Sequence, residues 1–241
     1  MPETRHAFHE ELESLEKQAL GALDMIVAAL ERALEALKHQ DVELAQIVIA
    51  DDDRIDGRYL EVHQGILTLL ATQAPVATDL RTVAALLHVI KHVERMGDQC
   101  VNIAKLIPIT GHEPPVVEEM LATVVRMGEL AISEVRQAKQ AFELRDVGLA
   151  QDLVRQDEVI NQLNRDVFRM GVRAGGSDED RLEWVLTIVM VARALERVGD
   201  NAVDIGEQVA FVVTGLFREF SDSSHPPGTR PDAAPDGGPY F

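Results

Sequence analysis

Residues 94–98 read Glu-Arg-Met-Gly-Asp, and residues 196–200, 102 positions later, read Glu-Arg-Val-Gly-Asp. In each copy two acids stand four apart, which on a helix puts both carboxylates on one face, and a helix-weakening glycine separates them. Related pairs precede them: Asp52 with Asp56 in DDRID, and Asp157 with Asn161 in DEVIN. Like charges at this spacing destabilise a helix by roughly 0.2–0.5 kcal/mol, and partial burial increases the cost. Protonation, the adjacent Arg95 and Arg197, or a bound cation would each offset it. Asp and Glu oxygens with little sulfur or imidazole suit a hard or borderline cation such as magnesium, manganese or iron.

The elements that must position these acids are helices. Apolar residues recur at three and four rather than at two, aromatics are only 4% of the chain, and no strand pattern emerges. Six helices are expected, at roughly 4–38, 42–72, 79–107, 115–143, 147–172 and 178–218. Asp41, then Thr78 or Asp79, and Ser177 are the expected N-caps. Three prolines and a glycine in IPITGHEPP, residues 107–115, mark the boundary between halves.

On a helical wheel Asp98 shares the angle of Leu80, with Glu94 and Asn102 to either side, near Val83, Leu87 and Val101. The acids are thus expected to continue the apolar stripe, while Arg81, His88, His92, Arg95 and Gln99 form a polar, solvated sector. Glu196, Asp200 and Asp204 repeat this among Leu182, Val185, Val189 and Val203. Asp52 and Asp56 flank Val48, Ile55, Tyr59, Ile66 and Leu70, with His63 between them in angle, and Asp157 and Asn161 stand beside Leu153, Ile160 and Val167. Each half should therefore present two acid-bearing helical edges to one surface. Glycine inside a helix costs about 1 kcal/mol relative to alanine, so Gly97 and Gly199 imply that a backbone, ion or ligand approaches closely there, or that two helices pack tightly.

The halves align at an offset of 102 through the ERxGD motifs and 105 through the upstream acids. The expected architecture is all-α: two tandem three-helix bundles at 1–111 and 112–220, followed by a tail, 221–241, rich in Pro, Gly, Asp and Ser and read as disordered. A net charge of −18 disfavours nucleic acid, and a single cysteine, Cys100, rules out an intrachain disulfide framework and reads as a buried small hydrophobe. No apolar run approaches a membrane span, and neither a secretory signal nor a lipid anchor is visible, so a cytoplasmic location is expected. No GxxxxGK[ST], GxGxxG or GxSxG motif positions a phosphate or nucleophile, and catalysis is not expected. The enzymatic alternative, a carboxylate-bridged metalloenzyme, typically pairs Glu-x-x-His motifs, whereas the only one here is Glu3 to His6.

The repeated ERxGD, the preceding acid pairs and the two three-helix units resemble the PhoU family of phosphate-transport and phosphate-signalling regulators, over about residues 5–218. The resemblance implies a cytoplasmic, homodimeric, non-enzymatic adaptor between the phosphate ABC importer and a phosphate-sensing histidine kinase, a negative regulator when phosphate is sufficient. It also implies a multinuclear iron or zinc cluster, manganese or magnesium remaining open, held by Asp52 with Asp56, Glu94 with Asp98, Asp157 with Asn161, and Glu196 with Asp200. Service to a different phosphate transporter is the neighbouring alternative. Asn161 departs from the acidic pattern, so the second copy is expected to bind the weaker.

Overall fold

The computed structural model describes residues 2–111, 113–114, 116–174, 176 and 178–220, with side chains from His6 onward. The expected tail at 221–241 and the Ser177 cap lie outside the described residues. The first unit contains α1 (Pro2–His39), α2 (Val42–Ala50), α3 (Asp52–Thr72) and α4 (Thr78–Leu106). A 3-10 turn over Ile107–Thr110 follows, and the second unit contains α5 (Glu118–Leu144), α6 (Val147–Ala174) and α7 (Glu179–Thr214). The all-α architecture is as expected, and α2 with α3 is the expected second helix, bent at Asp51. That residue keeps a right-handed helical backbone, its N–H still reaches Ile47 O at 3.0 Å, and Arg32 holds its carboxylate at 2.9 Å.

The duplication is visible in one turn. Gln40 and Arg145, 105 residues apart, both adopt left-handed backbone with φ of 51° and 54°. Each is followed by an aspartate that starts the next helix: Asp41 Oδ1 accepts from Leu44 N–H at 2.9 Å, and Asp146 Oδ1 accepts from Gly148 and Leu149 N–H at 2.8 and 3.0 Å. These side chains satisfy donors that the first helical turn cannot satisfy internally. The expected cap at Thr78 or Asp79 is not formed. Ala77, at φ 48°, takes the N-cap position without a side-chain bond, and Thr78 is already helical and accepts from Arg81. α7 stops at Gly215, whose left-handed backbone (φ 75°) terminates it before the expected 218.

One apolar core runs through both units. α1 packs on α5 and α4 on α7, and Leu23, Leu30, Leu86, Ile90, Met120 and Phe142 are all fully enclosed. Gly128 on α5 admits the Leu34 side chain of α1. Lys139–Asp24 at 2.8 Å and Arg145–Glu16 at 2.6 Å bridge the same two helices. Such half-exposed pairs contribute at most about 1 kcal/mol each, so apolar burial dominates the joint.

This joint displaces the expected face of α4. Val83, Leu86, Ile90, Val93 and Gly97 form its core side together with His92, whereas Leu80 is 47% exposed. Asp98, at the same angle as Leu80, is likewise exposed. The acids therefore border the core rather than continue its stripe. His92 is buried at the α4–α7 contact instead of lying on a solvated sector: its Nδ1 is 2.8 Å from Asn201 Oδ1 and 3.4 Å from Asp204 Oδ2. Burial pushes its pKa down. Within its own unit this side of α4 reads as polar, and α7 of the second unit covers part of it.

The repeated caps carry a direct expectation. Asp41→Ala and Asp146→Ala should each lower unfolding free energy by about 0.5–2 kcal/mol in urea titrations, with Asp79→Ala costing less than either.

Candidate carboxylate sites at the helix seams

In the first unit, α3 and α4 meet where α4 has no side chain. A methyl placed on Gly97 would lie 3.1 Å from Ile55 Cγ2 and 3.3 Å from Asp52 Oδ1. The glycine thus lets the acid of the neighbouring helix approach closely. Burial, then the charges of Asp56 and Asp98, push the Asp52 pKa up; burial, then Glu94 and Asp56, do the same for Asp98. These four carboxylates therefore sense one another across the α3–α4 seam. Lys91 and Lys105 are the local counter-charges; Lys91 Nζ is 2.7 Å from Glu94 Oε2 and above the Tyr59 ring, against which His63 packs. Asp56 and Asp98 are exposed, while Asp52 and Glu94 are half-buried, so this site opens to solvent.

The second unit repeats the plan more deeply. Asp157 and Glu196 are 3% and 8% exposed, against half-exposure of Asp52 and Glu94. Asn161 Nδ2 donates to Asp157 Oδ2 at 2.7 Å. Arg193 pairs with Glu196 Oε1, while Glu196 Oε2 is buried without a hydrogen-bond partner among the described residues. Burial, then Asp200, push the Glu196 pKa up. Asp200 lies exposed at the rim.

A further acid, unexpected from the sequence, completes this seam. Glu134 on α5 is fully buried, and neither carboxylate oxygen has a hydrogen-bond partner among the described residues. A methyl on Gly199 would lie 2.8 Å from Glu134 Oε2 and 2.6 Å from Asp157 Oδ1, so both carboxylates crowd one glycine. Burial, followed by the charges of Asp157 and Asp200, pushes the Glu134 pKa up to about 9. The signal was present: Met127, Ala131, Glu134, Ala138 and Ala141 form a three-four register, with an acid on a core line.

The donors are oxygens on facing helices, the chemistry a hard divalent cation takes, and unpartnered carboxylate oxygens at Glu134 and Glu196 are atoms such an ion would satisfy. Cysteine is not among the donors: Cys100 is buried with its pKa pushed up to about 12. Among the described residues, however, no three His, Cys, Asp or Glu side chains already surround one point as metal ligands. Binding would need rotation of side chains from their present positions.

Fold and seams together define a class of duplicated three-helix bundles with paired carboxylates on facing helices. The family model of the PhoU domain matches residues 21–107 and again 124–209. An accessory protein of a phosphate-specific transport system, a PhoU homologue from Zymomonas mobilis, is 32% identical over 212 residues, covering 88% of this chain and 89% of its own. A like-named homologue from Clostridium acetobutylicum is 27% identical, covering 91% and 100%. The crystal structure of the phosphate transport system regulatory protein PhoU from Streptococcus pneumoniae superposes with a TM-score of 0.80 at 27% identity over 88% of this chain and 99% of that one. PhoU from Pseudomonas aeruginosa gives 0.81 at 27%, covering 87% and 100%. This chain belongs to the PhoU family.

Two outcomes follow from the seam geometry. Folding retains on Glu134 a proton that the unfolded chain releases near pH 4.5, so its contribution makes the metal-free protein less stable as pH rises toward about 9. Glu134→Gln should remove that slope, and the urea midpoints of variant and parent should diverge with rising pH. Parallel profiles would contradict the buried acid. Gly199→Ala should destabilise by about 1–3 kcal/mol despite the better helix propensity of alanine, because buried carboxylates must move. Gly97→Ala, with looser contacts, should cost less in the same titration.

Proposed function

We propose that this chain is an accessory regulator of a phosphate-specific transport system, acting as a non-enzymatic adaptor between the phosphate ABC importer and a phosphate-sensing histidine kinase. The observation carrying this reading is the near full-length match to accessory proteins of that system in both directions, 91% of this chain and 100% of the Clostridium homologue. The described helices contain none long and apolar enough to cross a membrane, consistent with a cytoplasmic partner that docks on membrane components. A homodimer is the proposed assembly.

The carboxylate seams supply the contact chemistry. On a chain of net charge −18, the open acidic edge formed by Asp52, Asp56, Glu94 and Asp98 suits basic loops of a partner, directly or through a bound cation. The cation-binding set in this proposal is those four with Asp157, Asn161, Glu196 and Asp200. Oxygen-only donors favour magnesium or manganese, with iron or zinc the clusters the resemblance implies. A rigid bundle regulates only if its affinity differs between partner states. The adaptor therefore binds more tightly to the phosphate-replete conformations, restraining uptake and keeping the kinase in its repressing mode.

The folded full-length protein should change the ATPase rate of the reconstituted importer or the kinase-to-phosphatase balance of the histidine kinase. No effect in either assay would sink the assignment.

A further inference from the structure

Repeat equivalence, extended through the turns, identifies what replaces the acid lost at Asn161. Asp41-Val42-Glu43-Leu44-Ala45-Gln46 falls on Asp146-Val147-Gly148-Leu149-Ala150-Gln151 at an offset of 105. The same offset places Asp52 on Asp157, Asp56 on Asn161 and Ala29 on Glu134. Where the first unit pairs aspartate with a buried alanine, the second pairs asparagine with a buried glutamate. The acid count of four is preserved, but one acid has moved from the helix edge to the interior.

A carboxyl with both oxygens buried and unpartnered is among the costliest groups a core can hold, and a packed bundle has no structural use for one where its own repeat manages with alanine. Gly199 keeps the space into which Glu134 Oε2 and Asp157 Oδ1 both project. We infer that Glu134 supplies, from α5, the fourth carboxylate of a divalent-cation site enclosed between α5, α6 and α7, in place of the acid missing at Asn161. This rests on the cation-binding reading of the seams and assigns it a residue outside the paired motifs. Asp157, Glu196 and Asp200 complete the acidic donors, and Asn161 offers its carbonyl once the amide turns from Asp157. The bare set does not yet group these oxygens, and binding requires side-chain rotation to bring them together. The first unit's site, by contrast, keeps its acids at an exposed edge, where a partner can reach the ion.

The test is Mn²⁺ titration of the full chain followed by the EPR signal of free Mn²⁺, with Asp98→Asn used to disable the first site. In that background Glu134→Gln should weaken the remaining site by at least about tenfold, the order of loss seen when a metal site loses a supporting group. The exchange variant Glu134→Ala with Asn161→Asp, which installs the first unit's pattern, should recover binding. Glu134→Gln conserves shape and removes the buried acid, so its metal-free melting temperature should not fall, which separates ligand loss from unfolding. Unchanged Mn²⁺ affinity in Glu134→Gln, or no recovery in the exchange variant, overturns the role of Glu134 while leaving a cation site possible. Absence of Mn²⁺ binding by the parent chain overturns the cation reading as well.

Discussion

The structure depends on two helices approaching each other across a missing side chain. At Gly199 the α7 backbone gives way to carboxylates from α5 and α6, and at Gly97 the α4 backbone gives way to one from α3. A helix tolerates the roughly 1 kcal/mol penalty of an interior glycine where something else benefits from the space. Here the beneficiaries are ionisable groups, whose charged forms are costly to crowd and to bury. The apolar core that α1, α4, α5 and α7 share fixes the seams well enough to hold acids against that repulsion. Of the alternatives the sequence leaves open, a backbone, ion or ligand near each glycine or tight helix packing, the helices do pack tightly, and what reaches each glycine is a neighbouring carboxylate.

Duplication then divided the two seams. Both keep four acids, but the first spreads them along an exposed edge and keeps Lys91 beside Glu94, whereas the second draws Glu134 into the interior and leaves it unpartnered. An open acidic edge can meet a basic surface. An enclosed cluster can accept only a small ion or protons. Both seams share one core, so a change of charge or ligation in the second seam acts on helices that pack directly against the first. In the proposed adaptor that packing links an interior site to the surface a partner reads.

The helices, the repeat and the paired acids were legible because each rests on local periodicity. Asp41 stands directly before a helical run and does cap α2, and Cys100 sits on a core line and is buried. What was not legible came from contacts between the units. His92 reads as solvated on its own helix and is buried only because Asn201 and Asp204 of α7 lie against it. Glu134 carries no ERxGD or DxxxD spacing, and only its place on the α5 core line marks it in the sequence. Leu80 and Asp98 share an angle on α4 that the packed core leaves outside it, so an apolar residue at that angle misleads about the burial of the acid.

In the proposed reading the carboxylates meeting at Gly97 and Gly199 are cation sites rather than packed acids. Anomalous diffraction from crystals of the full chain grown in Mn²⁺, recorded at the manganese edge, tests it most directly. One peak is expected at the edge formed by Asp52, Glu94 and Asp98, and a second within bonding distance of Glu134 and Asp157. An ordered chain with no peak at either seam would contradict it.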